Sequence, residues 1–165
     1  MKFSEIKKNA CPPFEEEDRE LLMLFSFFLH KAPTIDSNLA LKSYKDSIKW
    51  NNYIRNWKES TYKFYASKFP KDNVLKDYKL VETAKISNKY RTFICVKKDK
   101  GESDYECFVR HVRNSIAHGY VYINKQKNRV YILLEDYNSN KNKQAIILVS
   151  KTDLIKLKKE IEKEI

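Results

Sequence analysis

Two arginines, an amide and two imidazoles fall between residues 110 and 118 of this chain: Arg110, His111, Arg113, Asn114 and His118. Arginine carries a permanent charge on a fork that matches two phosphate oxygens, and histidine is the side chain whose ordinary pKa suits proton transfer near neutrality. RNA brings its own nucleophile, the 2′-hydroxyl. Cleaving it needs a base for that proton, positive charge for the pentacoordinate phosphorus, and an acid for the departing 5′-oxygen. A histidine supplies acid–base help of roughly 10² to 10⁴, and an arginine supplies charge where it develops. No metal is called for, and no other cofactor.

These side chains need an element to hold them. Ser103 followed by Glu106 is a capping box, which opens a helix. Tyr105, Phe108, Val109, Val112 and Ile116 recur at steps of one, three and four and draw an apolar stripe down it. Gly119 stands where the helix should stop. At about 100° per residue, the other side chains order themselves around the opposite arc as Arg113, Ala117, Arg110, Asn114 and His118, with His111 nearly above His118. The small Ala117 leaves room for another surface to approach.

The full string Arg113-Asn114-Ser115-Ile116-Ala117-His118-Gly119 resembles the R-(polar)-x-x-x-H signature of the HEPN superfamily, in its RNxxAHG form. The resemblance covers Glu106 to Tyr122. It implies a helical, usually dimeric protein and a metal-independent endoribonuclease of toxin–antitoxin or phage-defence type. On it Arg113 and His118 carry over as catalytic residues and Asn114 as the polar group beside them. His118 is then the base, Arg113 the phosphorane stabiliser and Asn114 an orienting group, with a 2′,3′-cyclic phosphate as product. Since one histidine cannot comfortably be both base and acid, a homodimer sharing one cleft completes the set. RNA is the implied substrate, and an antitoxin protein a partner the resemblance leaves room for. Nothing carries over to Arg110 or His111, which are candidate RNA contacts from charge alone. Two rival classes stay open: a non-catalytic module of the same fold that binds RNA, nucleotide or protein, and a structural subunit of a defence complex. In the bland reading Arg113 pairs with an acid such as Glu106, and His118 only caps its helix.

Composition bounds these readings. The 165 residues suffice for one domain, residues 1–165, and a 42% hydrophobic, 13% aromatic content argues for a folded core. Two glycines exclude a Gly-rich phosphate loop. Cys11, Cys95 and Cys107 lack metal-ligand spacing and read as thiols in a reducing cytosol. No signal-peptide pattern follows Met1, and the apolar run Leu21–Leu29 is too short to span a membrane, so a cytoplasmic protein is expected. The net charge is +11, with 33 Lys and Arg against 22 Asp and Glu. The excess sits in residues 38–100, where Lys42, Lys45, Lys49, Lys58 and Lys63 alternate with Tyr and Trp. They are candidate contacts for a polyanion, or solubilising filler.

The pattern predicts a mainly α fold: a bundle of four or five helices with a small antiparallel β appendage. Residues 1–13 read as an irregular lead-in closed by Pro12-Pro13. A helix buried on most sides follows over LLMLFSFFL, stopped by Pro33, with His30 as a cap or core-edge residue. Asn38–Phe69 reads as a second helical region with Leu41, Tyr44, Ile48, Ile54 and Trp57 inward, and Asp72 to about Val96 as a third. The motif helix takes 103–119. Residues 120–149 form the appendage: a hairpin around NKQKN and a third strand over Ala145–Val149. Ser150 with Asp153 caps a last helix over 150–165.

Overall fold

The computed structural model describes residues 1–11, 15–30 and 39–163, without the side chains of residues 39–43. Pro12, Pro13, Pro33 and Asn38 therefore lie outside the described residues, as do the side chains of Leu41 and Lys42. The helices are α1 (Phe3–Lys7), α2 (Arg19–His30), α3 (Leu39–Ile54), α4 (Asp72–Asp77), α5 (Asp104–Ala117) and α6 (Lys151–Glu162). The strands are β1 (Tyr62–Tyr65), β2 (Thr92–Val96), β3 (Val121–Gln126), β4 (Arg129–Tyr137) and β5 (Lys143–Ser150). All five strands join one sheet in the order β1-β2-β5-β4-β3, with only β1 and β2 parallel.

That sheet overturns the mainly α expectation: the fold is mixed α and β, and the supposed appendage supplies three of the five strands. The two missed strands lay inside segments read as helix. Tyr62-Lys-Phe-Tyr and Thr92-Phe-Ile-Cys-Val are aromatic and β-branched runs, but too short for their period to separate strand from buried helix. What settles them is mutual pairing, Tyr62 with Phe93 through Tyr65 with Val96, across some thirty residues of sequence. The lead-in is not irregular either. Its helix α1 buries Phe3 and Ile6, and Lys2 and Ala10 form bridges to Lys85 and Tyr122.

Strand alternation sorts the core into two apolar layers. Phe93 and Cys95, Ile132 and Leu134, and Ala145, Ile147 and Val149 face α2, α3, α5 and α6. Ile94, Tyr131 and Leu133, and Ile146 and Leu148 face Phe3 and Ile6 of α1 with Leu75, Leu80 and Ile86. A sheet covered on both faces reads as near-continuous apolar sequence, as in ILL of β4 and AIILV of β5. On α3 the inward residues are Trp50 and Tyr53, with Trp57 just beyond, while Tyr44 is exposed. Trp50 and Trp57 pack edge to face against Phe93, and Trp50 and Tyr53 pack tilted against Phe108. These aromatics are core and offer no stacking platform for bases.

Several local signals hold. Ser103 Oγ accepts from the Glu106 amide and Glu106 accepts from the Ser103 amide. Ser150 and Asp153 repeat the box at the start of α6. The β3–β4 hairpin is present, and most of NKQKN belongs to strand β3, leaving a two-residue turn. Gly119 follows α5 at φ 77°, the left-handed conformation that glycine adopts most cheaply.

Candidate active site

Helix α5 is more deeply set than its apolar stripe requires. Beside that stripe, Cys107, His111 and Ser115 form a second buried row, one turn apart each. This row faces the ends of β2 and β4, so the helix is enclosed on two sides. Asn114, Arg110 and Arg113 are half-buried, and Ala117 and His118 are exposed.

His111 is fully buried and stands behind the surface. Its Nδ1 lies 2.7 Å from Asp136 Oδ2 and its Nε2 2.7 Å from the Val96 carbonyl. Asp136 and the Val96 carbonyl both accept, which favours a proton on each ring nitrogen, against the Arg110 Nη2 that also comes within 3.3 Å of Nε2. Burial opposes that charge, yet Asp136, with help from Cys107, outweighs it and raises the His111 pKa to about 9. His111 has no surface to offer RNA, which corrects its reading as a contact. Arg110 is also spent internally. Its Nε and Nη2 form a fork on Glu102, at 2.5 and 3.0 Å, and Nη2 reaches the Val96 carbonyl at 3.1 Å. Burial disfavours charge on Glu102, but Arg110 outweighs it and holds the carboxylate below its ordinary range.

Asn114 donates from Nδ2 to Asp136 Oδ2 at 3.2 Å, the same oxygen that holds His111. One buried carboxylate thus orients the motif amide and binds the imidazolium below it. Asp136 sits beside an irregularity in the β4–β5 pairing, a feature that re-aims side chains at sheet ends. Neither Asp136 nor Glu102 was singled out from sequence. The signal available was Glu135-Asp136, two adjacent acids ending an apolar strand.

Arg113 and His118 differ from their neighbours. Among the described residues neither side chain has a hydrogen bond, ion pair or ring contact. Arg113 does not pair with Glu106, whose carboxylate serves the capping box. His118 occupies the C-cap position, but the capping bonds are backbone ones, from its amide to the Asn114 carbonyl and from the Gly119 amide to the Ile116 carbonyl. The two are five residues apart, hence about 140° around the helix and about 7.5 Å along it. They point to different sides of the exposed arc.

His118 and Ala117 form one wall of an open, largely apolar groove of ≈ 400 Å³. Leu22, Ser26, Leu29 and His30 of α2 form the other. His30 is exposed at the end of α2 and shares the groove with His118. Arg113 is not among the groove's lining residues.

The basic residues named from sequence are dispersed. Lys49 is buried, and its Nζ donates to the Ile161 carbonyl near the end of α6 at 2.6 Å. It is therefore a helix cap, in place of the phosphate contact expected. Lys58 and Lys63 are exposed and Lys45 is half-buried. Lys63 lies over the Tyr65 ring at 5.2 Å. Among the described residues no three or more His, Cys, Asp or Glu side chains are grouped to hold a metal ion. Among them no helix is long and apolar enough to cross a membrane.

An unbroken RNxxAHG string on one helix, its amide anchored from below and its arginine and histidine unengaged, defines a HEPN-type module. The chain belongs to the family described as HEPN pEK499 p136, whose model matches residues 5–165. That membership makes RNA-related or nuclease-like chemistry the class to consider. Neither the curated proteins nor the solved structures give a match to this chain.

Proposed function

We propose that this protein is a metal-independent endoribonuclease of toxin or phage-defence type, cleaving RNA by attack of the 2′-hydroxyl on the adjacent phosphorus. One observation carries the reading: of the five polar residues on the arc, only Arg113 and His118 keep side chains without an internal partner among the described residues. A half-buried arginine such as Arg113 usually finds an internal partner, while His118 stands exposed to solvent. Two groups left over, one a phosphate binder and one a proton carrier, suit a ligand from outside. His118 takes the 2′-hydroxyl proton, Arg113 neutralises the phosphorane, and Asn114, anchored on Asp136, orients the pair. The products are a 2′,3′-cyclic phosphate and a 5′-hydroxyl.

The 140° between Arg113 and His118 makes it hard for one phosphate to touch both on a single helix. A second chain laid against Ala117 and the groove would bring its own Arg113 to the first chain's His118. The leaving oxygen then takes its proton from the partner's His118, or from His30 across the groove of the same chain.

The test is cleavage of mixed RNA in excess EDTA. Arg113→Ala and His118→Ala should each abolish it, with melting temperatures nearly unchanged because neither side chain is engaged internally. After subunit exchange, mixed dimers of the two variants should regain part of the activity. No recovery despite proven exchange, together with an inactive His30→Ala protein, would place acid and base in one chain. RNA retained but uncut by the wild-type protein would overturn the enzyme and leave a binding module.

A further inference from the structure

At the other end of the sheet from the motif lies a second concave surface. It is an open cleft of ≈ 540 Å³ where the starts of β2, β4 and α6 meet the segment after α3. Five cations line it, Lys58, Lys89, Arg91, Arg129 and Lys156, against a single carboxylate, Asp153. They come from four separate stretches of sequence, so only the fold assembles them. Arg129 opens β4 and Asp136 nearly closes it, seven residues on. At the rise of a strand the cleft is therefore about 23 Å from the carboxylate beneath the motif.

The carboxylate does not neutralise the cleft. Asp153 is almost fully buried and already committed: it accepts from the Ser150 amide and binds Arg91 Nη1 at 2.8 Å. Arg91 is thereby fixed, with a second bond from Nη2 to the Asn56 carbonyl and its guanidinium 4.4 Å from the centre of the Trp57 ring. Lys58, Lys89 and Lys156 are exposed and have no acidic partner among the described residues. Arg129 is the sharper sign. Its Nη2 donates to the Tyr90 carbonyl at 3.3 Å and lies 3.9 Å from Asp153, but its Nε is buried and bonded to nothing. A buried guanidinium N–H without an acceptor is costly, so the Arg129 guanidinium is incompletely satisfied within the fold. A concave surface with one sign of charge also concentrates counter-charged ligands.

We infer that this cleft binds the phosphates of a nucleic-acid strand, at a distance from the motif helix. The ligand is recognised through its backbone. Most of the side chains that line it are polar, and its one aromatic side chain, Tyr90, has its hydroxyl tied to the Tyr78 carbonyl. The cations are spread around an open rim, as a chain of phosphates requires. The inference rests on charge and geometry alone and stands whether or not the motif cuts RNA.

The experiment is therefore a binding measurement free of cleavage. A fluorescent 2′-O-methylated oligoribonucleotide lacks the nucleophile, so anisotropy reads affinity only. Each lysine over a phosphate contributes about 0.7 to the slope of log K against log salt for a single strand, so Lys58→Gln, Lys89→Gln and Lys156→Gln together should lower that slope by about 2. At fixed salt the same triple variant should bind at least about tenfold more weakly. All three side chains are exposed, so its melting temperature should match the wild type. The single variant Lys89→Glu, which reverses charge at the rim, should also weaken binding. A control replacing the exposed Lys8, Lys127 and Lys159 by Gln removes equal charge elsewhere and should change affinity far less. Equal losses in the two triple variants would overturn the site and leave only a net-charge effect. An unchanged slope in the cleft variant would overturn it outright. ATP or inorganic phosphate binding as tightly as the strand would overturn the assignment to a polymer.

Discussion

Consider raising the pH from 6 to 10. His111 in the fold has a pKa of about 9 against an ordinary 6.5, because burial, which opposes its charge, is outweighed by the Asp136 carboxylate with help from Cys107. At roughly 1.4 kcal/mol per pH unit that difference corresponds to about 3 kcal/mol of stability. The folded pKa is raised, so the folded state holds the extra proton between the two values. The contribution is complete below about pH 6.5 and is lost as pH rises through about 9. Asp136→Asn keeps the shape but removes the charge. It should cost a similar amount at pH 6, since the imidazolium is left buried without its counter-charge, and it should flatten the pH dependence across the window. Urea denaturation at half-unit pH intervals reads both effects, and the His111 ring ¹⁵N shifts report its protonation directly. Cys107, whose thiol is lowered to about 6 chiefly by Cys95 and also by His111, stabilises in the opposite sense across the same window. The comparison is therefore made in a Cys107→Ser background, and that protein equally stable at pH 6 and pH 9.5 would refute the argument. So would an Asp136→Asn protein in that background that loses stability across the window as steeply as its parent.

Two further outcomes follow from the same geometry. Lys49→Met removes the ammonium from the end of α6 and should destabilise the protein by about 1–2 kcal/mol without weakening RNA binding; the reverse pattern in denaturation and anisotropy would return Lys49 to the surface. Gly119→Ala places a Cβ on a residue at φ 77° that meets nothing within 4 Å, so its cost is conformational, about 1 kcal/mol. A thermal melt showing no loss would mean that the turn after α5 relaxes freely.

The motif helix and both capping boxes were legible in the sequence, because their determinants lie within a few residues of each other. The same holds for the β3–β4 hairpin and the third strand that follows it. Arg113, Asn114 and His118 were legible as a group for that reason too. Helical periodicity alone orders them around an arc. What it could not decide is which members of the arc are already engaged. His111 and Arg110 look as available as Arg113 until β2 brings the Val96 carbonyl, and β4 brings Asp136, against one side of the helix. Strands β1 and β2 were hidden because four- and five-residue apolar runs suit a buried helix equally well, and each is fixed only by pairing with the other and with β5. Lys49 read as a phosphate contact until α6 placed a carbonyl above it. The cationic cleft is assembled from residues scattered between 58 and 156. Local sequence sets capping, turning and period, each a matter of neighbours along the chain. Which polar groups are satisfied, and which are left for a ligand, depends on contacts between distant segments, and only the folded chain makes those.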